Sequence, residues 1–265
     1  MQAYGDGAYY SGTGLYGVAT LLAPANEWAR LELRWLKALH DFDPALDVFH
    51  MTDYMAGAKP YRGRPREGRE RLLNNLVRLL CEHVTFAYAC VFLPEAQKAL
   101  VELNERRDVP TLGDNFYALC ADGCIGKMSE RLNHIGPTKR IAYIFEAGDK
   151  GLGHFRHTVD EIHRRSQLYR DEMKIASIAE LPKKSCPAVQ TPDIVAYAVT
   201  HFRVDQITEQ ERPPYLKQLA SFIPVQVDYL DEEFVRIGSA RFTEAVSLEL
   251  ARQHNLFPRQ RKRKT

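Results

Sequence analysis

The hydrophobic pattern changes period early, and the change marks the first three elements. A short run from Ala3 carries a lone acid, Asp6, near the tip of a first strand. A glycine-containing link (Gly12, Gly14) then leads into an apolar run, Leu15 to Leu22, so the pattern is strand, turn, strand. Next, Trp28, Leu31, Trp35, Leu36 and Leu39 recur at helical spacing, with Asn26 as a candidate N-cap, and predict a helix ending near His40 to Pro44. Asp47 to Asp53 is expected to be extended. Leucines from Leu72 to Leu80 place a helix over about Glu67 to His83, and Thr85 to Leu93 has the β-branched and aromatic content of a strand.

Two helical segments follow, roughly Pro94 to Arg107 and Thr111 to His134, before Gly136-Pro137 breaks the pattern. Arg140 to Phe145 predicts a buried strand ending directly on Glu146. Residues 147–151 form a turn, a charged helix runs to about Asp171, and Met173 to Ala179 is a further strand. Lys183 to Pro192 is a loop, after which Thr191 as N-cap and Pro192 at the first helical position open a helix through about Phe202. A helix over Thr208 to Ser221, a short strand over Phe222 to Asp228 and a helix over Asp231 to Gln253 complete the chain. Alternating strands and helices after an opening hairpin predict an α/β layered fold with a mixed sheet flanked by helices.

At 265 residues and 45% hydrophobic content the chain is long and apolar enough for a sizeable core. The absence of a long uncharged apolar window and of a basic-then-apolar N-terminus leads to the expectation of a cytoplasmic protein with no membrane partner. Five cysteines at irregular spacing fit reduced thiols. Net charge is +2, but the tail from Arg259 to Lys264 alone carries five positive charges, so the remainder is mildly acidic. A second basic cluster, Lys59 to Arg71, holds Lys59, Arg62, Arg64 and Arg66. It suits either a solvated face or phosphate contacts, as does the pair Lys183 and Lys184.

In sheets of this kind working residues lie at the carboxyl ends of strands and in the loops that follow. Asp6 and Glu146 are expected there, and Asp193 in the first turn of a late helix. Each also has an ordinary reading: turn chemistry for Gly5-Asp6-Gly7, a surface strand end for Glu146, and a favourable dipole position for Asp193. Carboxylates that converge from separate elements repel one another and persist when a cation neutralises them. Hard oxygen donors favour Mg²⁺ or Mn²⁺, and a pair of such ions is suited to phosphodiester hydrolysis.

Five blocks in order, YGDG with SGTG behind it, WARLELRWLKAL, VFHMTDY, IAYIFEAGDKG and PAVQTPDIVAY, resemble the bacterial family described as domain of unknown function 3800, placed in the RNase H-like superfamily. The blocks span Tyr4 to about Phe202. The resemblance implies an RNase H-like domain over 1–205 with a helical insertion around 65–135; beyond it the pattern and composition predict a helical extension over 206–258 and a basic disordered tail over 259–265. It also implies a nuclease whose metals are held by Asp6, Glu146 and Asp193, with Asp149 as an alternative or additional ligand. His50 and Asp53 of the VFHMTDY block, and Gln190, form a second tier near substrate or water. Where the family carries an acid after the first aspartate, this chain has Gly7 and Ala8. A non-cleaving nucleic-acid or protein-binding member, within a mobile-element or phage-defence system, is the alternative expectation.

Overall fold

The computed structural model describes residues 1–10, 14–105, 116–136, 139–148, 151–153, 155–157, 159, 171–208, 214–223 and 225–233. The strands are β1 (Gln2–Tyr10), β2 (Leu15–Ala23), β3 (Phe86–Phe92), β4 (Ile141–Glu146), β5 (Ile175–Leu181) and β6 (Val225–Leu230). The named helices are α1 (Ala25–His40), α2 (Met51–Ala56), α3 (Arg66–His83), α4 (Pro94–Glu105), α5 (Phe116–Ile135), α6 (Thr191–Thr208) and α7 (Pro214–Phe222). The six strands form one mixed sheet in the order β5-β4-β1-β2-β3-β6. β1, β2 and β3 are joined antiparallel, whereas β4 lies parallel to β1, β5 parallel to β4 and β6 parallel to β3.

Burial follows the order of the strands. β3 is buried along its whole length and β2 at all but one position, while β5, at the sheet's edge, is largely open to solvent. The sheet separates two apolar clusters. One holds Tyr4, Trp28, Trp35, Phe49, Leu76, Val195 and Leu219, under α1, α3, α6 and α7; the other holds Tyr88, Tyr117, Met128, Tyr143 and Phe145, under α4 and α5. Trp28 is pinned at both ends, its ring 4.6 Å from that of Tyr4 and its Nε1 donating to the carbonyl of Gln2 at 3.0 Å. Among the described residues no helix is long and apolar enough to cross a membrane.

Several sequence expectations are revised. Gly5-Asp6-Gly7 is not a turn and Asp6 is not at a strand end, because β1 continues to Tyr10, pairing Gly5, Asp6 and Gly7 with Thr20, Ala19 and Val18. α1 starts at Ala25, since the carbonyl of Pro24 accepts from Glu27 N and Trp28 N; Asn26 lies inside the first turn and is not the cap. The segment expected to be extended up to Asp53 turns helical at Met51. Thr191 is not an N-cap either: a 3₁₀ turn, Pro187–Gln190, runs straight into α6, with Thr191 already helical and its hydroxyl donating to Ala188 O at 2.7 Å. The domain boundary expected at 205 falls within α6, and β6 lies in the same sheet as β1. The tail 259–265 and nearly all of the helix expected over 231–253 lie outside the described residues.

Close approach explains one glycine beside the future site. A Cβ built on Gly5 would stand 2.5 Å from the Phe145 ring, which is fully buried. Gly5→Ala is therefore expected to lower stability by about 1–3 kcal/mol through overpacking. Urea denaturation measures it, and a midpoint equal to that of the parent would contradict the packing described.

Candidate functional site

The parallel pairing of β1 with β4 aligns Gly5 with Phe145, which makes Asp6 and Glu146 the next residues along the two strands. Side chains alternate across a strand, so Gly5 and Phe145 face α5 while Asp6 and Glu146 face α6. β5 ends beside them with Leu181 opposite Glu146, and the loop after Pro182 turns Lys183 back over the sheet. α6 brings Asp193 in from above. Three separate elements thus aim a carboxylate at one place.

That place is occupied by an ammonium. Lys183 Nζ lies 2.8 Å from Asp6 Oδ2, 2.8 Å from Glu146 Oε2 and 3.3 Å from Asp193 Oδ2. Every one of the three oxygens is therefore within twice a salt-bridge length of the others. Lys183 is 7% exposed and Asp6 1% exposed, so the charges interact in a poorly screened setting. Burial pulls the Lys183 pKa down, but the attraction of Asp6, Asp193 and Glu146 outweighs it and holds the ammonium above the ordinary lysine value. For Asp193 burial pushes the pKa up. The neighbouring His50 imidazole, the Lys183 charge and the Met51 N–H together win, and its carboxyl titrates below the usual aspartate range.

The cluster opens to solvent on one side. Glu146 is 20% and His50 43% exposed. His50 Nδ1 is 3.3 Å from Lys183 Nζ and 3.6 Å from Asp193 Oδ2, which makes His50 the rim of the site. Asp193 also orders this rim, because its Oδ2 accepts from Met51 N at 3.1 Å and so serves the otherwise uncapped start of α2.

Gln190 is fully buried and does not reach outward to substrate. Its Oε1 accepts from Trp35 Nε1 at 3.0 Å and from Phe49 N at 2.9 Å, and its Nε2 donates to Lys183 O at 2.9 Å. One amide thereby ties α1, the segment before His50 and the lysine loop together. Glu32 of α1 braces the same loop, accepting from Ala188 N.

The remaining expected residues divide by position. Lys183 is not available as a surface phosphate contact, because it is the counter-ion of the buried acids. Lys184 points outward, 3.7 Å from Asp47. Asp53 sits in the first turn of α2 and is half-buried. Lys59, Arg62 and Arg66 are exposed, with Arg66 paired to Glu70 at 2.6 Å. Arg64 lines a groove between α1 and α3 with Arg71, Arg78 and Asp43. Asp149 lies outside the described residues.

Gly7 costs the cluster nothing in this geometry. A side chain there would project to the opposite face of the sheet, where a Cβ would meet Tyr16 and Tyr117 at 2.9 and 3.3 Å. Lys183 at the centre is the feature that motif reading missed. The signal available was the need of three converging acids for a cation, together with a lysine two residues beyond a strand end.

Removal of the ammonium should be severe. Lys183→Met leaves buried carboxylates without a counter-ion, and about 3–5 kcal/mol of destabilisation is expected near neutral pH. The pH dependence should also change. In the parent, the contribution of Asp193 is present above its unfolded pKa of about 3.9 and lost as pH falls through the lower folded value. The contribution of Lys183 is present below about 10.4 and lost as pH rises through its higher folded value, so stability is level through the neutral range. In Lys183→Met burial raises the carboxyl pKa values, and stability should fall as pH rises from about 5 to 8. Urea titrations across that range test it; parallel profiles for parent and variant would show that the ammonium is not the counter-ion.

Among the described residues no three His, Cys, Asp or Glu side chains close directly on one another as a ready-made metal cage; the acids close on Lys183. No protein-family model matches the chain, and no curated protein sequence matches it.

Proposed function

We propose that the chain is a divalent-metal-dependent nuclease of the RNase H-like type, hydrolysing phosphodiester bonds of RNA, DNA or a hybrid. The observation that carries this reading is the convergence of Asp6, Glu146 and Asp193 on one cationic point, with Glu146 closing β4 and Asp6 beside it within the parallel strand β1. Three carboxylates around a single ammonium leave a deficit of positive charge. The donors are hard oxygens, suited to Mg²⁺ or Mn²⁺. The resemblance of the ordered sequence blocks points the same way.

In this reading Asp6, Glu146 and Asp193 hold the cation, and Glu146 and His50 define the side from which a phosphate enters. When bound, such ions supply Lewis-acid stabilisation of phosphoryl oxygens and lower the pKa of water. Lys183 holds positive charge beside the scissile group, Gln190 keeps Lys183 and the His50 segment in place, and Asp193 orders the rim through Met51 N. The exposed Lys59, Arg62 and Arg66, with the half-buried Arg64, supply phosphate contacts further along the strand.

A second reading rests on Lys183 itself. An ammonium already in contact with all three acids takes the point a metal ion would occupy, which suits a non-cleaving module that binds nucleic acid or a protein partner.

Purified protein with manganese, assayed on labelled single-stranded, duplex and hybrid substrates, separates the two. The nuclease reading expects cleavage that Asp193→Asn lowers by at least roughly a hundredfold, the upper range found for residues that merely support a metal ligand. It also expects manganese to raise the melting temperature of Lys183→Met more than that of the parent, since the ammonium competes for the same oxygens. No cleavage of any substrate, with manganese leaving both melting temperatures unchanged, rejects it in favour of the binding module.

A further inference from the structure

A row of side chains leaves the acid cluster along β1 and α6 and ends in three aromatic rings. Alternation puts Asp6, Ala8 and Tyr10 on one face of β1, and four-residue spacing puts Asp193, Tyr197 and His201 in line on α6. The two rows run side by side. Asp6 and Asp193 meet on Lys183 at one end. At the other, the Tyr10 and His201 rings lie 4.7 Å apart, edge to face, and the Tyr197 ring stacks on His201 at 3.8 Å with 19° between planes. The lengths agree: four strand residues cover about 13 Å, and eight helical residues about 12 Å.

Exposure separates these rings from their neighbours. Val195, Ala196, Ala198, Val199 and Thr200 are buried on α6, with Thr200 seated against Gly17 of β2. Tyr10, Tyr197 and His201 are each partly open to solvent. They therefore mark the accessible flank of α6, on the path from the acids to the hairpin end.

We infer that Tyr10, Tyr197 and His201 form a stacking platform for unpaired nucleobases, so that the substrate is a single strand whose phosphate reaches the acids about one or two nucleotides from the stacked base. The placement of that phosphate rests on the nuclease reading of the acid cluster. Aromatic planes accept any base, because every base has a π-face, whereas bases in a duplex are already stacked on one another and present only their edges. Tyr10, Tyr197 and His201 carry no fixed positive charge of their own; backbone phosphates are met by the separate basic loop at Lys59 to Arg66.

The test is equilibrium binding of a fluorescein-labelled mixed-sequence oligonucleotide, in chelator and at fixed salt. The parent is expected to prefer the single strand to the same sequence as a duplex, and to bind a strand of abasic sites more weakly. His201→Leu and Tyr197→Leu should each weaken single-strand binding roughly 5- to 150-fold, the range for losing one stacked base. Tyr197→Phe should bind like the parent, and the leucine variants should match the parent on the abasic strand. Equal affinity of the parent for normal and abasic strands, or a preference for duplex, overturns the inference, as does undiminished binding by folded leucine variants. The abasic comparison uses the parent alone, so it decides the matter even if a variant fails to fold. Since no turnover is needed, failure of cleavage in manganese and failure of the platform are distinguishable results.

Discussion

Taking an ammonium and three carboxylates out of water costs several kcal/mol per ion, and the arrangement around Lys183 is what makes that burial tolerable. Asp6 lies in the middle of a central strand with 1% exposure, where an unneutralised carboxylate would be protonated or would unfold its surroundings. Lys183 reaches it from a loop beyond the sheet's edge strand, across Glu146 and under Asp193. The hairpin, the β1/β4 pairing, the lysine loop and the start of α6 are consequently held to one another through a single charge cluster.

Around this centre the polar groups are shared between elements. Gln190 satisfies donors on Trp35 and Phe49 and the carbonyl of Lys183, and Asp193 accepts from Met51 N. The short helix α2 is too brief to be stable alone; its start is set by a carboxylate that belongs to the charge cluster. The rim of the site and its floor are thus parts of one hydrogen-bonded unit. The aromatic row along Tyr10, Tyr197 and His201 extends from that unit toward the hairpin end.

Much of the fold was legible where the pattern of burial is local. Leu15 to Leu22 and Thr85 to Leu93 became central strands because both faces of those strands are covered, and the α1 tryptophans are fully buried at the spacing that announced the helix. Boundaries failed where distant partners decide them. Asn26 lost the cap position to the carbonyl of Pro24, and Thr191 is helical because a 3₁₀ turn feeds α6 directly. Met51 begins a helix because Asp193, 142 residues away in the chain, accepts its N–H.

By itself the sequence determined the layered α/β order, the strands that carry Asp6 and Glu146, and the helix that carries Asp193, since hydrophobic periodicity and turn residues act over a few positions. Only the tertiary structure decided that these acids share a single cation and that this cation is Lys183. It likewise decided that Gln190 is a buried clamp and that Gly7 faces away from the site. The reason is physical: register between β1, β4 and β5, and the reach of a lysine from the loop beyond them, depend on packing across the whole sheet. No spacing within one segment records which charges that packing brings into contact.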